Sequence, residues 1–409
     1  MSVRLRAFHL RIPGQWNDGW LYKENIILWS RTGQMYVAEL TKLLEELRNQ
    51  LSPSLSLAVD YAIFRNDWKS NDQFTRMIEV DELRRALFND FPDSSDPFVV
   101  DVGPIDMQIS DSDPIPGFML DVSLYADHIY AGSSAGLFES RFDPKIPKSR
   151  KPVVQWLDTE VRTVNAKNSA VNSSAGEKGL FFSHVNFQDH NWWSEQPRFK
   201  RTADVSFANS FASYHVLNYA NAAFPTFLRA ETQRGGRTEG SEYQESRVVA
   251  YQDQADITMM TSAAIDGSRR VKLSESKSLT ASDEAGSTAR VLGNSASRLL
   301  VHWHESLRVV DISARQGKDI AARPDPKYSE YIAPDIRPTS VLRTYSIESG
   351  FLIELFDEIR LITPHGSYPV AREPAARIRT FVYSRRYKDM AVVVGEESVT
   401  LIGFIESCD

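Results

Sequence analysis

The sequence predicts an all-β fold assembled from repeated antiparallel hairpins, and three observations carry that reading. Ser-Ser-Ala-Gly occurs twice, at residues 133–136 and 173–176, and each copy leads into Gly-Leu-Phe, at 136–138 and 179–181. Each copy separates one apolar or alternating segment from the next, as a hairpin tip does, and its glycine can supply the positive φ of a tight turn. Further apolar runs broken by short polar turns start near residues 129, 171, 214, 257, 299, 351 and 390, at intervals of 42, 43, 43, 42, 52 and 39.

The N-terminal residues 1–13 alternate Val3, Leu5, Ala7 and Leu10 with Arg4, Arg6, His9 and Arg11, the pattern of a strand. A hairpin follows, with 26–29 turning through 31–33 into 35–40. Leu40, Leu43, Leu44, Leu47 and Leu51 make an apolar stripe that predicts a helix over 37–51, although its first residues compete with that strand. A second helix is expected over 82–88, with Asp81 as its N-cap. Both helices fall within 41–116, read as a helix-bearing insertion on the first repeat.

Downstream, the clearest hairpins join 299–304 to 307–312, 351–356 to 359–362, and 390–394 to 399–405, with weaker ones near Tyr214 and Ile257. The polar stretches 231–246 and 274–288 hold few apolar side chains and are expected to be mobile loops. Pro324, Pro326, Pro334 and Pro338, with Tyr328 and Tyr331, suit an extended surface excursion over 315–338, which accounts for the 52-residue interval. The last three strands lack a fourth, so residues 3–10 are expected to pair with the C-terminal hairpin and cover its open edge.

A chain of 409 residues with 42% hydrophobic and 25% charged residues has the composition of a soluble globular protein with a sizeable core. The single cysteine, Cys408, excludes an intrachain disulfide and a multi-cysteine zinc site, and fits a reducing compartment. No run approaches the ~18 apolar residues of a membrane span, and residues 1–13 lack the apolar core of a signal peptide, so the expected location is cytoplasmic. A net charge of −7 argues against nonspecific nucleic-acid binding by the whole surface.

Repeats of ~40 to 45 residues match the four-stranded blades of a propeller, whereas a helical solenoid needs 3.6-residue patterns missing here. The expected architecture is a single β-propeller over 1–409, of about seven blades with eight also compatible. In hairpin spacing and paired Gly-Leu-Phe tips the chain resembles the β-propeller superfamily, in the broad company of WD-repeat and Kelch proteins. It lacks their Trp-Asp and Gly-His signatures, and Gly235-Gly236 sits in a polar stretch. The resemblance implies a scaffold whose faces bind other molecules. Propellers eroded in this way commonly serve as subunits of larger assemblies, bacterial defence complexes among them.

Few residues point to catalysis. Gly132 to Gly136 satisfies Gly-x-Ser-x-Gly, but a nucleophile elbow at Ser134 needs a helix directly afterwards, and residues 137–142 end at Asp143-Pro144. His184, Asp189 and His190 lie close in sequence, yet a polar loop lacks the rigid support of a metal site. His302 and His304 share one face of a strand, where hydrogen-bonded or solvent-facing histidines are the simpler reading. Two basic clusters, Lys145, Lys148, Arg150 and Lys151, and Arg377, Arg379, Arg385, Arg386 and Lys388, could meet phosphates. Without interleaved aromatics they read as solvated charge runs.

The expected function is therefore a noncatalytic protein-interaction scaffold or regulatory subunit, with no cofactor, no metal and no membrane association. Its partners are expected to be proteins, docked through loops, with Trp192, Trp193, Tyr328 and Tyr331 as aromatic anchors. The alternatives are a propeller enzyme with ionisable groups converging at a central channel, and a nucleic-acid-binding propeller, each disfavoured by the absence of a catalytic or phosphate-cradling motif.

Overall fold

A computed structural model describes residues 3–69, 71–80, 82, 98–102, 107–110, 113–143, 145, 152–167, 170–175, 180–184, 200–203, 207–211, 214–218, 226–231, 247–251, 290–295, 298–303, 306–311, 330–333, 336–337, 340–363, 366–372, 375–382 and 384–408. The described residues are mostly β, in antiparallel sheets of four strands and a mixed sheet of five. Two compact units divide the chain. The first holds Met1–Pro114, Phe142–Pro152 and Glu330–Asp409, and the second holds Ile115–Arg141 and Val153–Ser329.

In the first unit the strand Val3–Pro13 pairs antiparallel with Ser398–Cys408 along its whole length, from Val3 opposite Cys408 to Pro13 opposite Ser398. This is the terminal pairing the sequence predicts. The same sheet continues through Ala391–Val394 to Arg377–Thr380, and on its other edge Phe98–Asp101 joins Val3–Pro13 in parallel. Side chains alternate between the two faces with a period of two. Phe8, Leu10, Ile12, Val392, Val394, Val399 and Leu401 enter one core, and Ala7, Ala391, Val393, Ile402 and Phe404 enter another. Burial on both faces explains why Ala391–Val394 reads as an unbroken apolar run.

The first of those cores is shared with the sheet of Trp16–Tyr22, Asn25–Ser30, Met35–Glu39 and Gln108–Ile109, and with two helices. The second is shared with the sheet of Arg343–Ile347, Gly350–Glu354, Ile359–Thr363 and Gly366–Ala371. Between Met35–Glu39 and Gln108–Ile109 the described residues form three helices, α1 (Leu40–Arg48), α2 (Pro53–Lys69) and α3 (Asp72–Ile78). The strand wins residues 35–39 from the helix predicted over 37–51, because Val37 and Ala38 are already buried against the neighbouring strand. Leu40, Leu43, Leu44 and Leu47 then form the buried stripe of α1. Gly403 admits α2 closely, since a Cβ there would stand 2.7 Å from the Ala62 carbonyl oxygen. The helix predicted over 82–88 lies outside the described residues except for Glu82.

Among the described residues the second unit holds three four-stranded sheets, Met119–Tyr125, His128–Ser133, Gly136–Arg141 and Val153–Leu157 being the first. The next two comprise Thr163–Lys167, Ala170–Ser174, Leu180–His184 and Lys200–Ala203, and then Phe207–Phe211, Tyr214–Asn218, Thr226–Glu231 and Arg247–Tyr251. The strands Arg290–Ser295, Arg298–Trp303 and Ser306–Asp311 follow as an antiparallel set. Six of the seven predicted hairpin starts fall on these sheets or on those of the first unit; the one near 257 lies outside the described residues. So do nearly all of 231–246 and all of 274–288. Within 315–338, Glu330–Ala333 forms a strand of the first unit.

Candidate functional site

The first Ser-Ser-Ala-Gly copy is a hairpin turn, with Ser133 opposite Gly136 in the ladder. Gly136 has φ of 151°, and a Cβ there would collide with the Leu157 carbonyl oxygen at 2.1 Å, so glycine is required. The two serines reach beyond the turn. Ser133 is fully buried, donates its hydroxyl to the Pro116 carbonyl at 2.7 Å and accepts from the Ala135 N–H at 3.0 Å. Ser134 accepts from the Phe118 N–H at 2.9 Å through Oγ, while its own N–H donates to the Phe118 carbonyl at 3.0 Å. Gln155 donates to the Ala135 carbonyl at 3.0 Å and steadies the other side of the turn.

These bonds fix the segment Pro116, Gly117 and Phe118 against the hairpin, and Phe118 nevertheless stays 59% exposed. The arrangement presents an apolar ring on an ordered backbone. It does not have the geometry of a nucleophile elbow, because Ser134 is followed by the strand Gly136–Arg141 and not by a helix. The second copy has the same start, with Ser173 fully buried in Ala170–Ser174 and Ser174 opposite Leu180; residues 176–179 lie outside the described residues.

A second recurring device is an aspartate on the first strand of a sheet. Asp18 and Asp121 each directly follow a register irregularity, between Trp16 and Asp18 and between Met119 and Asp121. In the first unit, fully buried Asp18 accepts from Arg377 Nη1 at 3.1 Å and Arg379 Nε at 2.9 Å, and pairs with Arg379 Nη2. In the second unit, Asp121 accepts from the Val164 N–H at 2.6 Å, and Ser123 from the Ala166 N–H at 3.1 Å. Each aspartate thus ties its strand to an edge strand of an adjacent sheet. The signal was present in the sequence as Asp-x-x-Leu-Tyr at 18–22 and 121–125, and hairpin spacing alone does not reveal it.

In the second unit's first sheet, His128 Nδ1 lies 2.7 Å from Glu139 Oε1, with the Glu139 side chain fully buried. Burial pushes the Glu139 carboxyl up to about 9, and burial together with nearby Arg141 pushes the His128 imidazole down to about 4. At neutral pH the pair is therefore a protonated carboxyl beside a neutral imidazole. Tyr130, also buried, stacks on His128 with ring centroids 6.3 Å apart, and its phenol is held in the neutral form by burial.

Four of the five residues of the C-terminal basic cluster have partners within the protein, contrary to their reading as a solvated charge run, while Arg385 is exposed. Besides the Asp18 contacts, Arg386 bonds Asp67 of α2 at 2.6 Å and Glu24 at 3.1 Å, and Lys388 pairs with Glu348. Adjacent Asp389 accepts from the Ser349 N–H at 2.7 Å and faces Arg65 of α2 at 3.5 Å, both side chains buried. The partners come from distant segments, which charge patterning along the chain cannot show. Of the other basic cluster, Lys145 is exposed and Lys148, Arg150 and Lys151 lie outside the described residues.

Trp192, Trp193 and Tyr328 lie outside the described residues, as do Asp189, His190 and His304. Tyr331 is on the strand Glu330–Ala333, His184 ends Leu180–His184, and His302 is on Arg298–Trp303; their side chains are not among those described. Among the described residues no three metal-ligating side chains converge, and no helix is long and apolar enough to cross a membrane.

No family model matches the chain, and no curated protein matches it in sequence. Among solved structures, the N-terminal domain of Nup159 is similar at 8% identity and a TM-score of 0.45, over 99% of this chain and 96% of that one. The computationally designed Ika8 protein is similar at 7% identity and a TM-score of 0.41, over 97% of this chain and 99% of that one. Nothing about function follows from likeness at this level.

Proposed function

We propose that the protein is a noncatalytic interaction scaffold, a propeller of about seven blades that docks a partner protein through ordered loops. The observation that carries this reading is Phe118, 59% exposed yet held by a backbone locked to Ser134 in both directions. An aromatic ring presented on a fixed backbone loses little freedom on binding, and buried aromatic anchors dominate interface energetics. Trp192, Trp193, Tyr328 and Tyr331 are proposed as further anchors of the same kind. A cytoplasmic location and a role within a larger assembly belong to the same proposal.

Quantitative copurification from native cells, comparing the parent protein with Phe118→Ala and with the double change Trp192→Ala and Trp193→Ala, tests it. The expected result is a stoichiometric protein partner whose recovery falls with both variants while their melting temperatures stay near the parent value. A partner recovered equally with every variant, or no protein partner at all, contradicts it.

A further inference from the structure

Among the described residues the most exposed large apolar side chain is Phe356, 83% open to water on a turn closed by the backbone. The turn joins Gly350–Glu354 to Ile359–Thr363, and the Leu355 N–H donates to the Glu358 carbonyl at 2.8 Å, leaving Phe356 and Asp357 as its tip. Leu342, 58% exposed, is held against the same turn, its N–H donating to the Glu354 carbonyl at 2.9 Å. It directly precedes the first strand of its sheet, the place that Phe118 takes in its own sheet. Single exposed apolar residues are ordinary on a surface, whereas two on one hydrogen-bonded corner mark a contact patch.

The neighbouring tip supplies charge of one sign. The sheet that shares a core with this one repeats both bonds, the Ala376 N–H donating to the Val394 carbonyl and the Gly395 N–H to the Ser398 carbonyl, each at 2.8 Å. Its tip is Glu396 and Glu397. The two tips thus carry Asp357, Glu396 and Glu397, all exposed and without an ion pair among the described residues, and neither tip carries a Lys or Arg. On the strands behind them Arg360 bonds Glu358 at 3.1 Å, Arg377 and Arg379 meet Asp18, and Arg343, next to Leu342, stands opposite Glu354. Such carboxylates attract cationic segments and repel the phosphates of nucleic acids and lipids.

We propose that Leu342 and Phe356, with Asp357, Glu396 and Glu397, form a docking surface for a short basic and apolar segment of a partner protein. Apolar side chains of the segment cover Phe356 and Leu342, and its Lys or Arg side chains meet the three carboxylates. The ring supplies affinity, and the charges supply the choice of partner. The surface rests on the interaction-scaffold reading, to which it adds the chemistry of a partner.

Fluorescence anisotropy of a labelled peptide of alternating Lys and Leu, titrated with the full chain, tests the surface beside a peptide of alternating Lys and Ser. Saturable binding of the Lys-Leu peptide is expected, weakened about tenfold or more by Phe356→Ser and by the double change Glu396→Lys and Glu397→Lys. The Lys-Ser peptide is expected to bind more weakly. The double change Glu45→Lys and Glu46→Lys, at exposed positions on α1, is expected to leave affinity unchanged. Leu342→Ser serves in place of Phe356→Ser if that variant fails to fold by circular dichroism. No saturable binding, equal binding of the two peptides, or an equal loss in the α1 variant overturns the site. A dimer of the parent in sedimentation velocity that Phe356→Ser dissociates would assign the surface to a second copy of the chain and overturn it as well. The titration needs no native partner, so its outcome is separate from that of the copurification.

Discussion

Ser134 and Phe118 are joined twice, by the Phe118 N–H to Ser134 Oγ at 2.9 Å and by the Ser134 N–H to the Phe118 carbonyl at 3.0 Å. The pair spans sixteen residues and converts a hairpin turn into a mount for an exposed ring. Ser134→Ala removes one of the two bonds at a site that water can reach. It is expected to cost about 1 kcal/mol or less in stability, and to introduce no change in any hydrolytic activity. Chemical denaturation and an esterase assay on the purified variant check this, and a loss of hydrolysis on that change alone would restore a catalytic serine.

Asp18 is expected to matter far more than its single charge suggests. Asp18→Ala leaves Arg377 and Arg379 partly buried without their shared carboxylate, a class of change that costs about 3–5 kcal/mol. Equilibrium unfolding in urea measures it, and a cost below 1 kcal/mol would mean that the two arginines find other partners readily.

Neighbouring Lys388 and Asp389 are expected to differ sharply. In the Lys388 to Glu348 pair Lys388 is half-buried and Glu348 exposed, and pairs so open to water contribute about 0–1 kcal/mol. Asp389 is buried, accepts from the Ser349 N–H and faces Arg65 of α2, so Asp389→Ala is expected to cost about 3 kcal/mol or more. Parallel unfolding curves of the two alanine variants decide the matter, equal costs being the contrary outcome.

The buried Glu139 and His128 predict a pH dependence whose sign is fixed. From about pH 6.5 to 9 the folded state holds the Glu139 proton that the unfolded chain has released, so stability falls as pH rises. Between about 4.5 and 6.5 that fall is offset, because unfolded His128 binds a proton that the folded state excludes. Glu139→Gln keeps the shape without the ionisation and is expected to be more stable than the parent at pH 8, by at least about 1 kcal/mol. Stability profiles of the two proteins that run parallel from pH 6 to 9 would show that Glu139 is ionised in the fold.

How much of this was legible in the sequence depends on whether the deciding contact is local. Hairpins at 128–141, 350–363 and 391–408 were readable because alternation and turn residues act over a few positions. The pairing of Val3–Pro13 with the C-terminus followed from counting strands against an unprotected edge. Helices α2 and α3 were missed. In α2, buried Ala58, Val59, Tyr61, Ala62 and Ile63 crowd together and Phe64 breaks the helical geometry, so no clean stripe emerges. The Ser134 to Phe118 mount and the Arg386 bonds to Asp67 and Glu24 join residues far apart in the chain, and no periodicity encodes such pairs.

The proposed docking role requires that Phe118 be presented for a partner and not stored for the core. The most direct measurement is the affinity of Phe118→Ala for the partner recovered from native cells, taken beside its melting temperature. The expected result is affinity weakened by about 2 kcal/mol or more with the melting temperature nearly unchanged. Unchanged affinity, or a variant that unfolds, would place Phe118 outside the interface and contradict the docking role.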